Sequence, residues 1–386
     1  MKRIPVSTAA VVIGLCALWV ALGSKIWPTA SKHDFLNLYT GGRMALDGRL
    51  HDLHDPDVQL EYERRLVPDL PQLVPFVRPV FYAVALAPIA AMPYRTAFVT
   101  WTALQVALLL ACWIWAWRRF GPDALVFAAL SLPAPLGIAS GQDCVVMLVL
   151  LIVAFELNDR RRAASAGIVL ALMLFKFHLV LLWPVALVVQ RRWRMLGGYC
   201  VAAAALAMGS LALGGFADAR LYVALLQNKS LDHLAPSPEL MISYQGFFAN
   251  LGIESKWPVA LFIAIVTAIL VMAVRSGPAL FILTPVASLL VAPHVYGYDA
   301  ALLMVPLLIT IFETTNKPAR IAATLLSTPV PFGMALADKP WAIASSASLL
   351  TFFLISAGGA DGRLLPSASS SANDRAGHKK GDLPTF

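Results

Sequence analysis

Six short stretches of this chain carry groups that can do chemistry. "HDF" sets His33 and the carboxylate of Asp34 beside Phe35, with Asn37 and Tyr39 following. "VRP" supplies Arg78, and "GQD" supplies Gln142 and Asp143. "KFH" brings Lys176 and His178, and "SYQGFF" brings Gln245. "PHVYGYD" gathers His294, Tyr296, Tyr298 and Asp299. A carboxylate at a membrane–water boundary can take a proton from an alcohol that attacks an activated carbon, while aromatic rings hold a sugar face. A cation with a neighbouring imidazole suits a phosphate. An amide beside a carboxylate suits hydroxyl groups.

Each stretch also has a plainer explanation. Asp34 can cap an amphipathic helix running through "FLNLYTGGRMAL". Asp143 or Ser140 can cap the apolar segment that follows. Lys176 can snorkel and fix a turn, Arg78 can anchor at an interface, and the tyrosines can belong to an aromatic belt. "SYQGFFANLGI" reads as a short surface helix, for which interfacial packing is sufficient. Asp52 and Asp55 in "HDLHDP" add two more acids after Asp34.

The elements that must position these groups are apolar. The 386 residues are 59% hydrophobic and only 13% charged, against about 25% charged in globular domains. Runs long enough to cross a bilayer recur at roughly 7–27, 76–93, 95–117, 123–139, 143–157, 163–189, 195–214, 257–275, 277–293, 298–313, 319–337 and 341–357. The pattern is that of an all-α polytopic membrane protein, one integral membrane domain over 1–357. The remainder, 358–386, is rich in Ser, Gly, Asp and Lys and reads as a disordered cytoplasmic tail. The first apolar run follows "MKR" and reads as a retained span rather than a cleaved signal. The net charge of +8 comes from short basic clusters between apolar runs and is not a nucleic-acid signal. Cys16, Cys112, Cys144 and Cys200 have neither metal nor disulfide spacing. There is no glycine-rich phosphate loop, no HExxH and no Cys/His cluster, so nothing visible requires a divalent metal or another cofactor.

Basic clusters set the topology. "MKR", "WRRFG" (117–121), "NDRRR" (158–162), "QRRWR" (190–194), Arg275 and "NKPAR" (316–320) are all placed inside. An even number of crossings must then separate each pair. The run 76–93 holds Arg78 and several prolines, so it is expected to dip into the outer leaflet and return, extending the first outer loop over 28–94. The run 163–189 is interrupted by "KFH". As one helix it would bury Lys176 at mid-membrane, at a cost of about 2.5–3.5 kcal/mol. As two short helices meeting at "KFH" it keeps the count even. About twelve spans result, with both termini inside. The inner side then holds 17 basic and 7 acidic residues and the outer side 13 and 15. Asp34, Arg78, "GQD", "KFH", the loop 215–256 and "PHVYGYD" all fall on the outer side, and such a one-ended collection of polar groups is a site.

The order of these stretches resembles bacterial glycosyltransferase family 87, within the GT-C superfamily, over about residues 31–313. "HDFLNLYTGGRMALDGRLHDLHDP" resembles the family's opening Asp-Phe loop with its Tyr/His-Asp-Pro ending. "VRPVFYAVALAPIAAMPYRTAFVTW" resembles its Tyr-Pro-Pro segment, with Val77-Arg78-Pro79 in that place. "GQDCVVMLVLL" resembles its Gly-Gln-Asn, here Gly-Gln-Asp. "AGIVLALMLFKFHLVLLWPVALVVQRRWR" resembles its Lys-Pro hairpin, here Lys176-Phe177, and "APHVYGYDAALLMVP" its Pro-Tyr-x-x-x-Tyr-Asp, here Pro293-His294.

The resemblance implies a GT-C-like bundle in a bacterial inner membrane with its active site facing the periplasm. It implies an inverting transfer of a hexose or pentose, a mannose-like sugar first, from a polyprenyl-phosphate donor to a lipid or glycan acceptor. Asp34 is then the general base. Arg78, Lys176, His178 and His294 would hold the donor phosphate. His33, Tyr39, Gln142, Asp143, Gln245, Tyr298 and Asp299 would orient sugar and acceptor hydroxyls. Other readings remain: a carrier or flippase for a polar lipid, an inactive relative, or a scaffolding subunit. A carrier would place ionisable residues along a path through the bilayer, whereas here they gather at one end.

Overall fold

A computed structural model describes residues 4–30, 34–227, 238–253, 255–274, 279–334 and 341–359. His33 and nearly all of the expected tail lie outside the described residues. The chain forms α1 (Val6–Ala30), α2 (Asp34–Leu46), α3 (Pro56–Leu66), α4 (Val80–Ala90), α5 (Tyr94–Phe120), α6 (Asp123–Leu130), α7 (Pro133–Ala139), α8 (Cys144–Asp159) and α9 (Ala163–Leu172). It continues with α10 (Trp183–Val189), α11 (Trp193–Gln227), α12 (Tyr244–Asn250), α13 (Lys256–Ala273), α14 (Leu280–Val291), α15 (Met304–Glu313), α16 (Lys317–Leu326), α17 (Val330–Met334) and α18 (Ile343–Gly358). No strand forms among the described residues; an isolated bridge pairs Met241 with Tyr296.

Four helices, α1, α5, α11 and α13, are long and apolar enough to cross a membrane. Their outward faces are greasy: Val20, Val201, Met208, Leu261 and Met272 are all exposed. A soluble protein would bury such faces, so this is a membrane protein. The other apolar runs make shorter or broken helices. The run 123–139 splits at Ser131–Leu132 into α6 and α7. The run 298–313 begins as a 3-10 stretch over Gly297–Leu303 and becomes α-helical at Met304.

Two local departures from regular helix matter for the site. The run 163–189 is not one helix. α9 ends at Leu172, a 3-10 stretch follows over Met173–Leu179, and Lys176 sits outside helical space at φ −118, ψ 61. Arg192, after the run, donates to the side-chain oxygen of Asn158, before it. The run therefore folds back so that its two ends lie side by side, with "KFH" at the bend. α11 also outlasts its apolar stretch. It turns at Gly215 (φ 76, ψ 174) and runs on to Gln227, so the first third of the polar stretch 215–256 is helix rather than loop. A non-glycine residue would be strained at that φ.

The stretch 28–75 is structured as well. Asp55 caps α3, accepting from the backbone N–H of Asp57 at 2.9 Å and of Val58 at 3.3 Å, and Pro56 takes the first helical position. Asp52 receives Arg49 at 2.6 Å. Both acids of "HDLHDP" are thus used locally. Beyond α3 the chain turns at Pro68–Asp69 and runs without regular structure to Pro79, the N-cap of α4. With 11 residues, α4 is about 16 Å long at 1.5 Å per residue, well short of a hydrocarbon core of about 30 Å.

The molecule has two polar ends. At one, "WRRFG", "NDRRR" and "QRRWR" converge. Arg119 pairs with Asp159 at 3.2 Å and Glu313 at 3.0 Å, and Gln190 donates to the Val274 carbonyl at 2.6 Å. At the other stand Asp143 and Asp299. α8 joins the two ends, from Asp143 at its N-cap to Asp159, about 24 Å apart along 16 residues.

Candidate active site

A closed network of buried charges forms the floor of the second polar end. Arg78 arrives on the irregular segment before α4, Asp143 sits at the N-cap position of α8 without a side-chain cap bond, Lys176 sits at the break after α9, and Asp299 lies in the 3-10 stretch before α15. The Arg78 Nε donates to Asp143 Oδ2 at 2.8 Å. The Lys176 ammonium lies 2.9 Å from Asp143 Oδ1 and 2.8 Å from Asp299 Oδ1. All four side chains are buried. Two cations and two carboxylates cancel, as burial demands: an unpaired ion there would cost several kcal/mol.

Neutral groups extend the network. Arg78 also reaches Asn37 Oδ1 and Gln142 Oε1, each at 3.4 Å, and Lys176 donates to the same Gln142 oxygen at 3.3 Å. The Gln142 amide then donates to the Tyr298 hydroxyl at 3.3 Å. Lys176 lies 5.4 Å from the Tyr298 ring centroid, within cation–π range. The second Asp299 oxygen accepts from the Tyr296 backbone N–H at 3.1 Å. Tyr82 stacks on Phe175 at 4.1 Å, which fixes the floor of the bend beside Lys176.

Above this floor is a more open rim. Asp34 is the first residue of α2 and is half-buried. Its carboxylate, at a helix N-terminus, is favoured by the helix dipole. Its charge acts on both Tyr296 and Tyr298. Burial, then Asp299, then Asp34 push the Tyr296 phenol up. The rings of His178 and His294 meet nearly at right angles 6.5 Å apart, and His294, which is exposed, packs on Tyr296 at 4.9 Å.

The structure thus brings Arg78, Gln142, Asp143, Lys176, Tyr298 and Asp299 into one bonded cluster, with Asp34, His178 and His294 around it. Arg78 and Lys176, expected as phosphate ligands, are already shared with carboxylates. Tyr39 is elsewhere: its hydroxyl donates to the Met92 carbonyl at 2.9 Å and its ring packs edge-on against Tyr94 at 4.9 Å. It is part of the aromatic packing around Phe35, away from the charged cluster. Gln245 is half-buried on α12. Asn37 and Tyr82 also line the cluster. No feature of "FLNLY" or "VFYAV" singles them out, because their value lies in contacts with distant segments. Among the described residues no group of three His, Cys, Asp or Glu side chains is arranged to hold a metal.

No curated protein and no solved structure gives a significant match to the chain. The model of glycosyltransferase family 87 matches residues 76–306, more than half of the chain. That span takes in every member of the buried network except Asn37, and it begins after Asp34. With its apolar helices and polar site, the chain belongs to glycosyltransferase family 87, a family of membrane glycosyltransferases.

Proposed function

We propose that this protein transfers a sugar from a polyprenyl-phosphate donor to a hydroxyl of a lipid or glycan acceptor. A mannose-like hexose is the first candidate. The reaction takes place at the outer face of a bacterial inner membrane, with both chain termini on the cytoplasmic side. The observation that carries this reading is the division of labour between carboxylates. Asp143 and Asp299 are each held by a buried cation, and a carboxylate so engaged is a poor base. Asp34 is half-buried at the start of α2, and its charge acts on Tyr296 and Tyr298. This position supports it as the carboxylate that meets an incoming alcohol.

In this mechanism Asp34 takes the acceptor hydroxyl proton as the oxygen attacks the anomeric carbon. The bond from that carbon to the phosphate oxygen breaks on the opposite face, so configuration inverts. Negative charge grows on the departing phosphate. Arg78 has more N–H groups than Asp143, Asn37 and Gln142 take up, and these, with His178 and His294 at the rim, supply donors, while Lys176 keeps the carboxylates in place. Gln142 and Tyr298 orient sugar hydroxyls, and Asp143 and Asp299 hold the cations in place. A lipid-linked donor suits a chain whose described residues form no strand and so no nucleotide-binding βαβ unit. The gathering of ionisable groups at one end favours this reading over a carrier, which needs them along a path.

The test is sugar transfer in proteoliposomes, comparing wild type with Asp34→Asn on polyprenyl-phosphate hexoses and a membrane lipid extract. Transfer by wild type that drops to background in a folded Asp34→Asn protein is the expected result. Equal transfer by both would remove Asp34 from the chemistry. No transfer by either, across several donors, would favour the carrier.

A further inference from the structure

The segment that carries Arg78 has an unusual support. From Val74 to Arg78 the chain is neither helix nor strand, so no backbone ladder satisfies its groups, and buried groups left unmet are costly. Side chains from three other elements meet them instead. Glu63 accepts from the Val74 N–H at 3.0 Å. Gln59 accepts from the Phe76 N–H at 2.8 Å and donates to the Phe76 carbonyl at 3.3 Å. The Tyr222 hydroxyl donates to the Val77 carbonyl at 3.3 Å. The Arg78 carbonyl itself lies 2.9 Å from His54 Nε2.

His54 is in turn gripped by Asp218. One carboxylate oxygen lies 2.8 Å from His54 Nδ1 and the other accepts the His54 backbone N–H at 2.9 Å. Both residues are buried. The Arg78 carbonyl can only accept, so Nε2 carries a proton and donates to it, and Nδ1 shares a hydrogen bond with Asp218. Asp218 comes from α11, three residues past the turn at Gly215. His54 also packs on Tyr222 from the same helix at 4.3 Å. The turn in α11 therefore brings Tyr222 to the backbone of the Arg78 segment and Asp218 to His54.

We propose that His54 and Asp218 form a positioning pair that sets the Arg78 guanidinium for donor binding, acting through the Arg78 carbonyl. The inference rests on the reading of Arg78 as a donor-phosphate contact and assigns its support. A route of contact runs from Asp218 through His54 to the Arg78 backbone, and from the guanidinium to Asp143. No residue of the pair touches substrate. An arginine displaced by about 1 Å can cost up to a hundredfold in rate or affinity.

The experiment measures KM for a polyprenyl-phosphate hexose, KM for the acceptor, and kcat in proteoliposomes. The variants are His54→Phe, His54→Gln, Asp218→Asn, Arg78→Leu and the double His54→Phe/Arg78→Leu. His54→Phe keeps the ring stack and removes both ring nitrogens. It should raise donor KM about tenfold or more with the acceptor KM unchanged. His54→Gln, which keeps one N–H for the Arg78 carbonyl, should restore most of the loss. The double variant should be no worse than Arg78→Leu alone. Wild-type donor KM in His54→Phe, or equal damage to donor and acceptor KM, or full additivity with Arg78→Leu, would overturn the proposal. Should His54→Phe fail to fold, donor KM in Asp218→Asn decides in the same way. A wild-type donor KM in Arg78→Leu would instead remove Arg78 from donor binding, and the pair's role with it, while leaving Asp34 untouched.

Discussion

The two polar ends of this protein hold similar residues in opposite ways. At the arginine-rich end, Arg119 spans Asp159, which is half in solvent, and Glu313, which is partly exposed. At the other end, Arg78, Asp143, Lys176 and Asp299 are buried and joined by short contacts. Surface pairs set topology and add little stability. Buried pairs that survive must be matched almost atom for atom, since their desolvation cost is large. An enzyme that handles a charged, membrane-borne donor needs the second arrangement, because donors fixed in a dry site act on developing charge far more strongly than in water.

Removing the hub of the buried end should have the largest effect. Lys176→Met leaves Asp143 and Asp299 without their shared cation and should cost about 3–5 kcal/mol. It would appear as lost expression or a collapsed unfolding transition in detergent. Wild-type stability in this variant would dissolve the contrast between the ends.

A double-mutant cycle sharpens it. Arg78→Leu and Asp143→Asn each strand one buried partner, so each alone should destabilise. Together they should recover part of the loss, with a coupling of about 1–3 kcal/mol. Each residue supplies the charge that the other needs.

A pH titration should give a smaller, graded effect. Glu63 on α3 is fully buried, accepts the Val74 N–H, and has its carboxyl pushed up to about 8 by desolvation. The folded state holds this proton more tightly than the unfolded chain. Stability from this group is therefore complete below about 4.5 and is lost as pH rises towards 8, by up to about 1.4 kcal/mol per unit. Glu63→Gln should flatten the dependence in thermal unfolding scans from pH 5 to pH 9, and an unchanged slope would place the titration elsewhere.

The smallest effect belongs to the arginine end. Arg119→Met should cost about 1 kcal/mol or less and leave transfer intact. A loss as large as that of Lys176→Met would mean that the two ends do not differ in kind.

Much of this was legible in the chain. The apolar runs, the separation of basic clusters from chemistry-bearing stretches, and the interruption at "KFH" follow from composition and from the cost of burying Lys176. The start of a helix at Asp34 and the short helix at Tyr244–Asn250 follow from local pattern. Pairings were not legible. Arg78 meets Asp143 across 65 residues and Lys176 meets Asp299 across 123, and sequence carries no distance between such groups. Arg78 and Lys176 therefore read as cations available to a phosphate, whereas both are neutralised within the protein. Asp218, in "GGFADAR", gave no signal at all, because its partner His54 lies 164 residues away beyond a turn that a single glycine makes.

The neutrality of the buried cluster also sets an order of assembly. Its four charges enter from positions 78, 143, 176 and 299. During synthesis Arg78 waits for Asp143, Lys176 then adds a charge in excess, and only Asp299 closes the balance. Until that last segment is delivered, the nascent chain carries an uncompensated ion at the level of the membrane, worth about 2.5–3.5 kcal/mol if drawn into its centre. A chain that ends between Lys176 and Asp299 lacks the second carboxylate that Lys176 meets.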